Sequence, residues 1–404
     1  MGRGNRVWFF AAAAAVAFSS FGGTAYAAQM IGPGESRWEI PQEYTPEQWD
    51  KLMNSQVEYS EIPALIKEFN PNIQIADQAF DNAMFDVENQ ALAAYKMEDD
   101  FRDDIEELEE SGALATMEGQ IMYATLNAYA DAMGSTGDTI SYSLKQAKRE
   151  DSSSYREIKN ARKLLTNGAE QVMIGYNMAA SQLDTLHTMC DMYQMLYDAT
   201  LVQQEQGMAV TADVHQAKAN LIAAENSLMS LENTVESLET TFLQLVGWTT
   251  NEENRPEIIP IPEVDLQSLN AYDLESDIQK AIGNNQTLIT KRRTPSGGST
   301  TGIQAKRREV EQDEQLIAAQ MQKLYDHMFQ KKAAYETACM DYERAEIMRD
   351  AGEIQYQNGS MGQIAYLGQQ LAYQQAIGAK RTANLELFQA METYRWAVAG
   401  LLEY

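Results

Sequence analysis

Apolar residues recur in steps of three and four along one long stretch of the chain. The series begins after Gly207 and runs without a break through Val214, Ala217, Leu221, Ala224, Leu228, Leu231, Val235, Leu238, Phe242 and Leu245. This spacing predicts a helix whose apolar seam packs on another helix as in a coiled coil. An ordinary amphipathic helix in a bundle would have a broader apolar stripe, so the polar residues between the seam positions favour the coiled coil.

Proline placement predicts where the long helices begin and end. No proline occurs between residues 72 and 255 or after residue 295, and both stretches are rich in strong helix formers. Thr45-Pro46-Glu47-Gln48 has the residues of a capping box and predicts a short helix there. The segment Arg255–Glu263 (RPEIIPIPE) is an extended connector. We expect it to divide the chain into two helical halves.

The two halves end alike. Each contains a helix ending at glycine (Gly207, Gly359), a short turn, and a second helix ending at another glycine (Gly247, Gly400). Asparagines mark the start of each half, at residues 70 and 284–285, but the first half has 63 more residues before its turn. The chain is therefore expected to be all-α, with long helical hairpins in two unequal repeats.

The unequal part contains the less regular segments. The first half has an acidic run, Glu98–Glu110, and expected loops at residues 134–137 and 151–154. Residues 139–144 alternate in polarity and are one short strand candidate. In the second half, residues 302–358 predict one helix of about 85 Å, at about 1.5 Å per residue.

The N-terminus has the features of a secretory signal. Arg3 and Arg6 precede an apolar run at residues 7–18, and Ala25-Tyr26-Ala27 is a small-x-small cleavage site. We expect an exported, extracytoplasmic protein of the cell envelope without a transmembrane helix. The expected divisions are a signal peptide at 1–27, an N-terminal segment with a short helix at 28–59, a first half at 60–254, a connector at 255–270 and a second half at 271–404.

Charge and motifs argue against several functions. The net charge of −28 and the pI near 4.4 exclude a nucleic-acid partner. The histidines at 187, 215 and 327 are far apart, and the pair His187 and Cys190 has no second pair to complete a metal site. No phosphate-binding or nucleophile motif is present, so we expect no enzyme activity, cofactor or metal. A single bridge between Cys190 and Cys339 is left open.

Taken together, the signal, the two helical halves, the connector and the glycine turns resemble the TolC-like outer-membrane efflux protein family. The resemblance covers about residues 60–404 and is strongest from Gly207 to Ala217, which is similar to the family's Gly-(x)5-Asp-Val-x-x-Ala turn; at the second turn Ala365 replaces the aspartate. It implies a homotrimer forming a helical tunnel, a periplasmic adaptor, and an ABC or proton-driven transporter. The turn residues that would dock the adaptor are Gly207, Thr211, Asp213, Gly359 and Met361.

The chain also departs from the family pattern. Members have two strands in each half, whereas the corresponding break in the second half, residues 294–301, contains no apolar residue. We therefore expect a TolC-like α-barrel type without a clear transmembrane β-barrel. The function implied is that of an efflux or secretion conduit subunit. The alternative is a non-conducting extracytoplasmic coiled-coil scaffold or adaptor protein.

Overall fold

The computed structural model describes residues 41, 43–111, 116–149, 152–248, 255–402 and 404. The predicted signal peptide, residues 1–27, lies outside the described residues. Of the predicted N-terminal segment, the structure describes helix α1 (Pro46–Met53) and strand β1 (Gln56–Val57). The predicted capping box is present, since Thr45 accepts from the amide of Gln48 at 3.2 Å and Gln48 accepts from the amide of Thr45 at 3.0 Å.

Five α-helices lie in the described part of the first half. They are α2 (Ile62–Phe69), α3 (Pro71–Glu110), α4 (Met117–Ala147), α5 (Ser153–Glu205) and α6 (Thr211–Leu245). Asn70 separates α2 from α3, and its side-chain oxygen caps α3 by accepting from the amides of Asn72 and Ile73. Every predicted seam position of α6 is buried or half-buried, and α6 packs along α5.

Four α-helices lie in the described part of the second half. They are α7 (Leu274–Asn284), α8 (Gln286–Arg293), α9 (Thr300–Gln357) and α10 (Gln363–Val398). Helix α9 has 58 residues and a length of about 87 Å, which confirms the long helix predicted there. Between the halves, strand β2 (Glu257–Ile258) in the connector pairs in parallel with β1.

The long helices form a row in the order α6, α5, α10, α9. Helix α5 packs against both α6 and α10, and α9 packs along α10. The contacts between α5 and α10 join Lys163 to Ala399, Gln171 to Gln389 and Asp184 to Arg381, so these two helices run antiparallel. The all-α fold with hairpins in two unequal repeats is thereby confirmed. Among the described helices, none has both the length and the apolarity to span a bilayer.

The apolar core lies at the end of the row away from the two glycine turns. One cluster joins α1 and α2 to α5 and the end of α6, around Trp49, Ile66, Met173 and Phe242. A second packs α7 and α8 on α9 and α10, around Leu288, Ile317, Met321 and Tyr394, and a third packs Leu269 of the connector on α9 and α10. The short helices therefore fix the row at this end, while the helices continue toward the turns with fewer neighbours.

Two expectations for the first half are wrong, and the question of a bridge between Cys190 and Cys339 is settled. Residues 134–137 form no loop and lie inside α4, where Gly134 and Gly137 let α4 approach Glu98 and Tyr95 of α3 closely. The alternating stretch 139–144 is also helical, because its inward positions pack on α3. Cys190 and Cys339 are free thiols, since they lie on α5 and α9 with α10 between these helices in the row.

Candidate functional site

The first glycine turn joins α5 to α6. Gly207 has φ +73°, which places it in the left-handed region that favours glycine. The amides of Met208 and Ala209 donate to the carbonyl of Gln203 at 2.8 and 3.2 Å, so the end of α5 is closed. The Asp213 carboxylate then accepts from the amide of Val210 at 3.0 Å and begins α6.

Thr211 adds a contact across this turn. Its hydroxyl accepts a hydrogen bond from the Gln204 side chain at 2.9 Å, which connects the last turn of α5 to the first turn of α6. Met208 and Val210, the apolar residues of the turn, are 67% and 63% exposed. The turn is therefore a rigid backbone frame with apolar side chains pointing into solvent.

The second turn repeats this geometry between α9 and α10. Gly359 has φ +70°, and the amides of Ser360 and Met361 donate to the carbonyl of Gln355 at 2.9 and 3.1 Å. Helix α10 begins after Gly362 without a side-chain cap, because Ala365 stands where the first turn has Asp213. Instead, the rings of Tyr356 and Tyr366 stack across the turn, 4.6 Å apart and 10° from parallel.

Both turns lie at the same end of the row. Helix α10 runs antiparallel to both α5 and α9, and the two turns follow the C-termini of α5 and α9. The five residues predicted from sequence, at positions 207, 211, 213, 359 and 361, therefore share one end of the molecule. They form two similar projections that differ in their caps and in the tyrosine stack.

At the opposite end, each repeat is closed by an asparagine. The side-chain nitrogen of Asn70 donates to the carbonyl of Leu245 at 2.7 Å, and that of Asn285 donates to the carbonyl of Leu402 at 3.2 Å. Gly247 and Gly400 lie two residues after the ends of α6 and α10, with φ of +81° and +96°. The sequence repeat therefore corresponds to a repeated structural closure.

A buried carboxylate joins the two halves. Glu170 of α5 is 1% exposed, and its Oε2 accepts from the Trp396 indole at 2.6 Å, the Arg395 guanidinium at 2.7 Å and the Tyr59 hydroxyl at 3.0 Å. Burial raises the pKa of Glu170, and the hydrogen bond from Trp396 and the charge of Arg395 counteract this in part. The group positions α5 against α10.

The ion pair between Glu170 and Arg395 also shifts the pKa of Arg395, and the two partners differ in burial. Burial acts to lower the pKa of Arg395, yet attraction to Glu170 and hydrogen bonding to Glu392 raise it overall. Arg395 is about half exposed, whereas Glu170 is almost fully buried, so the carboxylate bears more of the desolvation cost.

Two more buried amides fix the connector to the row. The Asn177 side-chain oxygen on α5 accepts from the amide of Ile261 at 3.1 Å. Asn384 on α10 accepts from the amide of Val264 at 2.9 Å and donates to the carbonyl of Pro262 at 3.3 Å. The connector therefore crosses the junction of the halves. Sequence reasoning missed Glu170, Asn177 and Asn384, and their polar character inside helical stretches was the only signal.

Candidate metal ligands do not gather in the part of the chain that the structure describes. Within it, no three His, Cys, Asp or Glu side chains are placed to hold one ion. His187 lies 3.8 Å from Glu232 of α6, across the α5–α6 contact.

No protein-family model matches the chain, and no curated protein is significantly similar to it. Among solved structures, the chain is similar to the outer membrane protein VceC of Vibrio cholerae, at 13% identity over 62% of this chain and 73% of that one, with a TM-score of 0.42. It is also similar to the CmeC outer membrane channel of Campylobacter jejuni, at 11% identity over 92% and 91%, with a TM-score of 0.44. At such low identities and TM-scores the likeness assigns no function.

Proposed function

We propose that the chain is a subunit of an efflux or secretion conduit in the cell envelope, formed when several copies, three by the family resemblance, close their rows of long helices into a ring. The observation that carries this proposal is the row itself, in which one repeat packs beside the other through α5 and α10. A further copy can extend such a row by the same contact, with α9 in the role of α5 and α6 in the role of α10.

The α5–α10 contact gives this model a register. Thr185 lies 22 residues before Gly207, and Gly378 lies 19 residues after Gly359. A Cβ at Gly378 would be 3.1–3.2 Å from Thr185 side-chain atoms. Thr337 on α9 lies 22 residues before Gly359, and Asn226 on α6 lies 19 residues after Gly207. These two residues therefore correspond to Thr185 and Gly378, and both are exposed within one chain.

The outer helices are also apolar where such a contact would form. Large apolar side chains on α9 and α6 are exposed by more than half: Met229 65%, Met340 62% and Ile347 70%. Met229 lies 22 residues after Gly207, just as Arg381 lies 22 residues after Gly359. Arg381 reaches Asp184 at 3.7 Å across the α5–α10 contact. Burial of these side chains between copies would stabilise a ring at about 25 cal/mol per Å² of apolar surface.

A cysteine pair tests the ring directly. In a background of Cys190→Ser and Cys339→Ser, we expect Asn226→Cys combined with Thr337→Cys to form disulfides between copies and to give covalent oligomers up to the ring size. Each single substitution is the matched control, because it lacks the second cysteine of the heterologous contact. Absence of linked oligomers from the double variant, in protein of normal helical content, would contradict the ring.

In the conduit we propose that the two turns, at Gly207, Thr211, Asp213, Gly359 and Met361, dock a periplasmic adaptor, which connects the ring to an ABC or proton-driven transporter. Support comes from their common end, from the hydrogen-bonded backbone of each turn, and from the exposed apolar side chains of the first turn. The test is binding of the adaptor expressed from a neighbouring gene. We expect Val210→Asp to weaken it, while Asn89→Asp on α3 leaves it unchanged; equal loss in both variants would argue against docking at the turns.

A non-conducting coiled-coil scaffold is the second candidate, and the long α3–α4 hairpin favours it because it lengthens the molecule without adding to the row. Reconstituted oligomers distinguish the two functions by ion conductance. Stable conductance supports the conduit, and a ring or rod that conducts nothing supports the scaffold.

A further inference from the structure

The α3–α4 hairpin is a separate arm of the first half. Its two helices pack mainly on each other along their length, with small residues such as Ala91, Ala94, Ala130 and Gly137 at the contact. The second half has a six-residue link between α8 and α9 at the corresponding place. The conduit proposal gives this arm no role.

Helix α4 has a second stripe of residues that faces away from α3. It repeats in steps of four and three, and every member is exposed: Ile121, Thr125, Ala128, Ala132, Ser135, Thr139, Tyr142 and Gln146. Ile121, Tyr129 and Tyr142, on or beside this stripe, are 59%, 54% and 66% exposed. Steps of three and four place these residues on one face of the helix. The small residues at its centre would allow another helix to approach closely.

The stripe has no charged member. Between residues 121 and 144 the charged side chains are Asp131 and Asp138, and both are engaged by α3: Arg102 donates to Asp131 at 2.9 Å and the Tyr95 hydroxyl donates to Asp138 at 2.9 Å. An uncharged helical face of this length contrasts with a chain of net charge −28.

Four hydroxyl groups on or beside this face are already satisfied. Thr125, Thr136, Thr139 and Ser143 each donate to the carbonyl four residues earlier, at 2.8–2.9 Å. These donors would lose no hydrogen bond if water were removed from the face. Because burying an unpaired donor costs about 1–3 kcal/mol, these bonds lower the cost of burying the face.

We propose that the outer stripe of α4 packs against the same stripe of α4 in a second copy of this chain. Helix α3, beside it, has 13 acidic and 2 basic residues. A basic partner would be attracted to α3 rather than to the neutral stripe. A bilayer in contact with the stripe would have to take up the acidic side chains of α3 beside it. Two copies of this acidic chain repel each other least where neither has charge, which is the α4 stripe.

This contact is distinct from the α9–α6 contact of the conduit. Cross-linking of the full chain tests it, in the background of Cys190→Ser and Cys339→Ser with Ala132→Cys at the middle of the stripe. We expect disulfide-linked dimers at micromolar protein. Asn89→Cys, on the exposed face of α3, is the matched control and should link at least about tenfold less. Equal linking at the two positions would overturn the proposal.

Charge exchange tests that the partner is a second copy. We expect Ala132→Glu and Ala132→Lys each to weaken α4 association at least about tenfold, and a mixture of the two variants to restore it. Addition of Thr337→Glu should leave linking through Ala132→Cys unchanged, so failure of the ring and failure of the α4 contact are separable. Binding of phosphatidylcholine vesicles in place of dimers, or a chain that stays unlinked and monomeric, would also overturn the proposal.

Discussion

At the scale of single residues, the same two residue types close both repeats, glycine at positions 247 and 400 and asparagine at positions 70 and 285. A Cβ at Gly247 would lie 2.2 Å from the carbonyl oxygen of Phe69, and a Cβ at Gly400 would lie 2.2 Å from that of Asn284. Both glycines also have positive φ. Only glycine combines this backbone conformation with such a close approach, which explains why the same residue ends both repeats.

Substitution of these glycines should therefore be costly. We expect Gly247→Ala and Gly400→Ala each to lower the free energy of unfolding by about 2 kcal/mol or more, through strain in the backbone and a clash with a carbonyl. Denaturant unfolding monitored by circular dichroism measures the effect. Gly283→Ala, in α7 with open space around it, is the control and should be neutral or slightly stabilising. Equal effects at all three positions would refute the role given to the closures.

The buried Glu170 predicts a pH dependence of stability. Because burial raises its folded pKa, the folded chain binds this proton more tightly than the unfolded chain does. Protonation therefore contributes stability at low pH, and this contribution is lost as pH rises through the raised pKa. We expect the stability of the natural chain relative to Glu170→Gln to fall as pH rises toward neutrality from about 4.3, the pKa of an unperturbed glutamate.

The measurement for Glu170 is thermal unfolding across this pH range. Glu236→Gln, on the exposed face of α6, controls for the loss of one negative charge from an acidic chain. The stability of the natural chain relative to Glu170→Gln should fall with rising pH. A relative stability that stays constant with pH, or rises toward neutrality, would contradict the raised pKa of Glu170.

At the scale of helices, the two turns share a frame and differ in how the following helix is capped. Asp213 accepts from the amide of Val210, and α10 lacks this bond because residue 365 is alanine. We expect Asp213→Ala to speed hydrogen exchange at the Val210 amide, since loss of an N-terminal cap weakens a helix start by about 1 kcal/mol. Ala365→Asp should slow exchange at the Gly362 amide by supplying the missing acceptor.

The paired design makes these turn variants informative. Exchange at the amides of Met208 and Ser360, which close the preceding helices, should stay unchanged in both variants. If Ala365→Asp fails to protect the Gly362 amide, the two turns are less alike than their glycines and backbone hydrogen bonds indicate.

Local sequence signals predicted the helices well where a physical rule acts within a few residues. The capping box at Thr45, the α6 seam and the turn glycines are such cases, because spacing and capping are set by the chain itself. The predicted loop at residues 134–137 is wrong, because Gly134 and Gly137 allow close packing of α4 on α3. Contacts distant in sequence, such as Glu170 with Trp396, leave no periodic pattern to read.

At the scale of the whole molecule, the row of helices explains why two unequal halves can still form one repeating surface. The extra residues of the first half fold into the α3–α4 arm, whereas the glycine turns and asparagine closures occur at matching positions in both halves. The row can therefore continue from one copy to the next by repeating the α5–α10 contact. We therefore expect the rows of several copies to close into a ring.

The native mass of the chain from Ala28, the predicted mature N-terminus, tests this claim most directly. Light scattering combined with sedimentation velocity should give three times the monomer mass and a high frictional ratio, and Thr337→Glu at the α9 edge should shift the protein toward monomer. A natural chain that remains monomeric at high concentration, with full helical content, would contradict the ring.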